Sequence, residues 1–157
     1  MKALVTGASG FIGTHLLRFL HEQGVEIATH GPDQAIMGEF FNTPIEDVAG
    51  LTDVVSRVQP DLVFHLAGVT KSSDYSLFYR VNVQYAANLI RALELAGLSD
   101  RPILLTGTAS EYGLVSPEDL PITEHTPALP YNHYGASKLA QTNLGLIQAN
   151  HGRRIVL

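Results

Sequence analysis

The sequence predicts a doubly wound α/β fold, a parallel sheet with helices on both faces. Three observations carry that expectation. Short apolar runs alternate along the chain with stretches at helical spacing. The runs are apolar nearly throughout, as strands covered on both faces are. A three-glycine turn, Gly7-Ala8-Ser9-Gly10-Phe11-Ile12-Gly13, joins the first run to the first helical stretch.

The elements follow in order. Ala3-Leu4-Val5 is a buried strand ending at Thr6-Gly7. From Phe11 to Gln23 the spacing is helical, with Ile12, Leu16, Leu17 and Leu20 on one face and Gly24 as the stop. Val25 to Thr29 is a second strand, punctuated by Gly31-Pro32-Asp33. Residues 32–44 are irregular, with Phe40-Phe41 a candidate third strand. Ile45 to Val58 is helical, closed by Pro60. Leu62 to Leu66 is a strand, and a long helix runs from about Ser76 to Ala96, ending at Gly97. Ile103-Leu104-Leu105 is the fifth strand, and a polar, proline-bearing loop covers Tyr112 to Asn132. Tyr134 to Ala149 is helical, and Ile155-Val156-Leu157 opens a further strand. Right-handed crossovers between such strands wind the sheet in both directions.

Composition narrows the function classes. The 157 residues are enough for one domain, and 45% hydrophobic residues supply a core. The net charge is −5, and no Lys/Arg run forms a footprint for nucleic acid. There are no cysteines, so disulfides, thiol chemistry and Cys-ligated metals are excluded. His15, His21, His125, His133 and His151 show no ligand cluster. No apolar run has the length of a membrane span and no signal-peptide pattern appears, so a cytoplasmic, non-membrane domain is expected.

Chemistry enters at the glycine turn. Glycines at 7, 10 and 13 let the backbone turn sharply and approach a pyrophosphate, while the first helix offers N–H donors and its positive dipole end. Gly7, Ser9, Gly10, Phe11, Ile12 and Gly13 are therefore candidate cofactor-binding residues. A second signal is Tyr134 with Lys138, placed on one helix face by their spacing. A free phenol ionises near pH 10, so acting as a base near neutrality costs about 4 kcal/mol without help. An ammonium beside it stabilises the phenolate and can also hold a ribose hydroxyl.

These segments, with Asp61-Leu62-Val63-Phe64-His65-Leu66-Ala67-Gly68 and Tyr134-Gly135-Ala136-Ser137-Lys138, resemble the extended short-chain dehydrogenase/reductases, the NAD(P)-dependent epimerases, dehydratases and reductases of nucleotide sugars. The resemblance covers essentially the whole chain and implies a Rossmann fold over residues 1–157. It implies that Leu66, Ala67 and Gly68 line the cofactor and that Asn82 lies near the active site. It places the catalytic hydroxyl at Thr108, beside Tyr134 and Lys138, both of which also contact the cofactor. Thr108 would hold the substrate oxygen while Tyr134 moves the proton. His65 reads as structural.

Within that family a 4,6-dehydratase is disfavoured, because Ala109 and Ser110 stand where its acidic residues would be and Glu111 comes one residue late. The Glu-Tyr-Gly and Tyr-Gly-Ala-Ser-Lys-Leu-Ala-Gln wording looks most like a 4-keto-6-deoxy-sugar reductase. A 4-epimerase is the alternative, and a cofactor-binding regulator without activity stays open. The second strand ends in Thr29-His30-Gly31, with neither the carboxylate of an NAD site nor the Arg of an NADP site. His30 is the residue able to meet a 2′-phosphate, and Pro44 stands where the family has an adenine-contacting Asp. The cofactor is thus NADP or NAD, with a lean to NADP. The resemblance also implies a homodimer built on the two long helices, and a C-terminal substrate domain beyond the strand that opens at Ile155. A chain ending at Leu157 is expected to keep at most cofactor binding and to aggregate.

Overall fold

The computed structural model describes residues 1–157. Six strands form one parallel sheet in the order β3-β2-β1-β4-β5-β6. They are β1 (Lys2–Thr6), β2 (Glu26–His30), β3 (Glu39–Phe41), β4 (Leu62–His65), β5 (Ile103–Leu105) and β6 (Ile155–Val156). The order reverses between β2 and β4, on either side of β1. That is where a parallel sheet opens a crevice at its carboxyl edge.

Successive residues of β1 serve opposite faces. Leu4 joins a large apolar cluster with Leu51, Val54 and Val55 of α2 (Val48–Val58) and Leu89 and Leu93 of the helix Tyr85–Leu95. Ala3 and Val5 join a smaller cluster with Leu17 and Leu20 of α1 (Phe11–Glu22). The last long helix, His133–Asn150, leans on the large cluster through Leu144. No helix is long and apolar enough to cross a membrane.

Most element ends fall within a residue or so of the sequence expectation, and three departures bear on the site. The helix expected from Ile45 begins at Val48, because the Asp47 carboxylate accepts the Gly50 N–H at 2.9 Å and caps it. The second strand runs one residue further than expected and includes His30, which pairs in register with Thr6. The long helix expected from Ser76 to Ala96 is broken into α3 (Tyr75–Tyr79), a π-turned segment Arg80–Gln84 and α4 (Tyr85–Leu95). Its apolar spacing is continuous through the break, so periodicity alone does not register it. What lies at the break is Asn82, a buried amide with three hydrogen-bond partners. The remaining long helix is α5 (His133–Asn150), capped by Asn132 Oδ1 on the Gly135 N–H at 2.8 Å.

Candidate functional site

The glycine turn lies at the carboxyl end of β1. Gly7 has φ +67°, and a Cβ there would stand 2.6 Å from the Ala67 nitrogen, so both conformation and space require glycine. Gly13 lies hard against Ala8, which draws α1 onto the turn. Gly10 caps α1 with no side chain bonded to the first turn, leaving the opening N–H groups available. Phe11 and Ile12, the first residues of α1, are 83% and 60% exposed.

A cleft of about 550 Å³ opens above the sheet here. Gly7, Ser9 and Gly10 form one wall, Leu66, Ala67 and Gly68 the facing one. His30, Pro44 and Tyr85 close its β2 side. The cradle a Cβ would fill and the uncapped start of α1 fit a dinucleotide pyrophosphate. A larger groove of about 800 Å³ lies between the C-terminal ends of α4 and α5, away from this chemistry. Its Arg91 and Arg153 both pair with Glu94.

Under the cleft runs a buried polar chain. His65 Nδ1 meets the Thr6 hydroxyl at 2.9 Å, and the Ala67 N–H donates to the same hydroxyl oxygen at 3.3 Å. The Tyr85 hydroxyl bonds His30 Nδ1, and the Thr43 N–H donates to His30 Nε2 at 3.3 Å. Because His30 Nε2 accepts, the ring proton sits on Nδ1 and the imidazole is neutral. Burial holds His30 below the usual histidine range. His30 lines the cleft as a neutral ring with both nitrogens engaged, so it brings no charge to a 2′-phosphate. Burial pushes His65 down to about 3, with the Lys138 charge adding to the effect. Burial also pushes the Tyr85 phenol up.

Asn82 lies behind the cleft wall rather than in it. Its Oδ1 accepts the Val69 N–H at 2.8 Å, and its Nδ2 donates to the Val69 carbonyl at 3.0 Å and to the Ser137 hydroxyl at 2.9 Å. Ser137 in turn donates to the Tyr134 carbonyl at 2.8 Å. Asn82 thus ties the loop after β4 to the first turns of α5.

Thr108, Tyr134 and Lys138 stand on the β5 side, beyond the residues that line the cleft. Thr108 is extended and caps the 3₁₀ turn Ala109–Glu111, accepting the Ser110 N–H at 3.3 Å. Glu111 reaches back to accept the Thr108 N–H at 2.9 Å. This capping box fixes the Thr108 backbone and leaves the hydroxyl proton free to donate. The turn is seated on the start of α5: a Cβ on Gly135 would run into the Ser110 carbonyl. The buried face of α5 is small and polar, made of Gly135, Ser137, Lys138, Gln141 and Gly145. Lys138 is buried with no carboxylate in contact, and desolvation lowers its amine to about 8 while Glu111 opposes the shift. Its Nζ donates to Gln141 Oε1 at 2.6 Å.

Several contributors were missed in the sequence. Glu111 is readable there as the fourth residue of a Thr-x-x-Glu capping box. Ser137 and Gln141 are readable as neighbours of Tyr134 and Lys138 at helical spacing. Tyr85 has no local signal, because its partner His30 is distant in the chain.

A family model described as the NAD dependent epimerase/dehydratase family matches residues 3–157. A UDP-glucose 4-epimerase of Azospirillum brasilense is 34% identical over 99% of this chain and 47% of its own length. A GDP-6-deoxy-D-talose 4-dehydrogenase of Aggregatibacter actinomycetemcomitans is 32% identical over 88% of this chain and 45% of its own. Among solved structures, UDP-glucose 4-epimerase from Brucella ovis in complex with NAD superposes with a TM-score of 0.87 at 28% identity, covering 98% of this chain and 50% of that one. The chain thus spans about half the length of the relatives it matches.

Proposed function

The chain belongs to the NAD dependent epimerase/dehydratase family, and from that premise we propose that it binds a nicotinamide dinucleotide along the carboxyl edge of the sheet and, within a protein that carries the substrate half, serves hydride transfer at a ring carbon of a nucleotide sugar. The observation that carries this reading is the α5 face presenting Lys138 one turn from Tyr134, seated on the turn that Thr108 caps.

The nicotinamide supplies or accepts the hydride when bound. The chain does the rest. The uncapped start of α1 receives the pyrophosphate. Thr108 donates its hydroxyl proton to the substrate oxygen and holds it in place. Tyr134 takes the proton from that oxygen in oxidation and returns it in reduction. The Lys138 ammonium stabilises the phenolate.

Two reactions share this step. The wording around Tyr112-Gly113 and Tyr134 supports reduction of a 4-keto-6-deoxy sugar. The similarity to the Azospirillum epimerase supports 4-epimerisation. A reductase consumes one reduced dinucleotide per sugar, whereas an epimerase interconverts its sugars with no net consumption. Following dinucleotide absorbance and the sugar NMR spectrum together, in a protein that carries the substrate half, separates them. Dinucleotide binding with no turnover of either kind would favour the regulator, and no binding at all would overturn the proposal.

For the cofactor we propose NAD over NADP. The expectation of NADP draws on His30, which is neutral and fully bonded, and on the lack of a carboxylate after β2; the solved epimerase of Brucella ovis, similar to this chain, is in complex with NAD, which supports NAD here. A homodimer through α4 and α5 also belongs to the proposal, supported by the exposed Leu95, Leu146 and Ile147.

A further inference from the structure

The Lys138 ammonium is handled in a way that the reaction alone does not require. The residue is only 3% exposed, on a helix face with no apolar residue fully buried. A buried lysine is ordinarily paired with a carboxylate. Here none is in contact. The direct hydrogen bond of Nζ is to the carbonyl oxygen of Gln141, at 2.6 Å. Gln141 is itself 1% exposed, and its Nε2 has no partner, so its carbonyl is committed to Lys138 at the expense of its own amide.

The surroundings leave that contact alone in its role. Glu111, from the turn before α5, spends a carboxylate oxygen on the Thr108 N–H. It acts on Lys138 only through space. His65, from β4, is wholly buried and neutral, bonded to Thr6. The one charged residue of the π-turned segment, Arg80, lines the cleft and pairs with Glu46 at 3.5 Å, not with Glu111 or Gln141. The aromatic residues of α3, Tyr75 and Tyr79, engage His133 at the far end of the first turn. From β5 and β6 the neighbours are apolar.

We propose that Gln141 is the positioning residue for Lys138: its neutral carbonyl fixes the buried ammonium in place without cancelling the positive charge, which stays available to Tyr134 and to a ribose hydroxyl. A carboxylate at the same position would hold the ammonium as firmly and neutralise its field. A hydrocarbon would leave the charge unanchored. The inference rests on the reading of Lys138 as part of the reactive set, but its physical content is a property of the folded chain alone.

The test is therefore made on the lysine, not on turnover. The chain has three lysines, Lys2, Lys71 and Lys138. Lysine labelled at the side-chain carbon next to the amine allows each to be titrated by NMR, with Lys138 assigned through Lys138→Met. Gln141→Glu keeps the shape and adds a charge, and it should raise the Lys138 titration midpoint by about one pH unit or more. Gln141→Met keeps the volume and removes the acceptor, and it should lower the midpoint. Opposite movements in two near-isosteric variants are not what a merely structural glutamine produces. An unchanged midpoint in folded Gln141→Glu overturns the proposal, as does a midpoint at the ordinary lysine value in the unsubstituted chain. If Gln141→Met does not fold, those two measurements decide the matter. Failure of the functional reading would appear separately, as lack of dinucleotide binding with the lysine behaviour intact.

Discussion

At Lys138 burial opposes ionisation and pushes the amine down to about 8 from its ordinary 10.5. Between those values the unfolded chain holds a proton that the folded chain has released, so this group makes stability rise with pH across the window. Under the proposed function catalysis runs the other way, since the charge held beside Tyr134 is lost as pH passes about 8. Turnover in a protein that carries the substrate half should therefore fall above pH 8 while denaturant midpoints do not, and in Lys138→Met the rise of stability in that window should vanish. His65 gives the acid counterpart. Its ring is held near 3 against an ordinary 6.5. As pH falls through that range the unfolded chain gains a proton that the folded one refuses, and stability drops, with His30 contributing in the same direction. Urea titrations from pH 7 to 4 should show a shallower acid loss for His65→Gln than for the unsubstituted chain. At Tyr134 the expectation concerns chemistry: Tyr134→Phe should lower turnover by about two orders of magnitude or more, with dinucleotide affinity nearly unchanged. Near-normal turnover would remove Tyr134 from its role.

Among the elements, the glycine turn and the π-turned segment place the site. Gly10 has ordinary extended backbone, and an added Cβ would sit 3.3 Å from the Gly7 carbonyl. Gly10→Val is thus tolerable to the fold, but its branches enter the space where a pyrophosphate must meet the α1 N–H groups. Calorimetry should show dinucleotide binding abolished while the circular dichroism spectrum is retained, and unchanged affinity would mean that the turn binds nothing. The π-turned segment exists around Asn82, whose amide holds Val69 and Ser137 together. Asn82→Ala removes three hydrogen bonds and leaves a partly buried loop without partners, a loss of about 2–3 kcal/mol. Denaturation should register that loss. Because Ser137 then loses its link to the loop, turnover should fall further than stability accounts for.

For the whole molecule, the cleft is walled by the turns after β1 and β4, the end of β2 and the start of α4, so a ligand bound there is linked to global unfolding. NAD at about 100 times its dissociation constant should add about 2.7 kcal/mol of stability. In a domain of this size that raises the melting temperature by about 5–10 °C. NADP at the same concentration should raise it less, because the end of β2 offers no cation to a 2′-phosphate. An equal or larger rise with NADP would return the cofactor assignment to NADP.

Strand and helix order, the parallel sheet, the glycine turn and the pair Tyr134–Lys138 were all determined by the sequence, because each rests on local spacing: continuous apolar runs, helical periodicity, glycines where a Cβ would collide. Even the short strand Glu39–Phe41 was legible from two aromatic residues. The tertiary structure decided what depends on partners far apart in the chain. His30 reads locally as a candidate phosphate contact, and it became a neutral buried ring only when Tyr85 and Thr43 folded onto it. Asn82 reads as part of an unbroken helix, and the π-turned segment follows from partners in another loop and another helix. Gln141 reads as an ordinary polar helix residue, and its commitment to Lys138 follows from the burial of both against the sheet. Local pattern specifies the backbone path. Charge state and hydrogen-bond allegiance are set by desolvation, which exists only once the chain has closed over these groups.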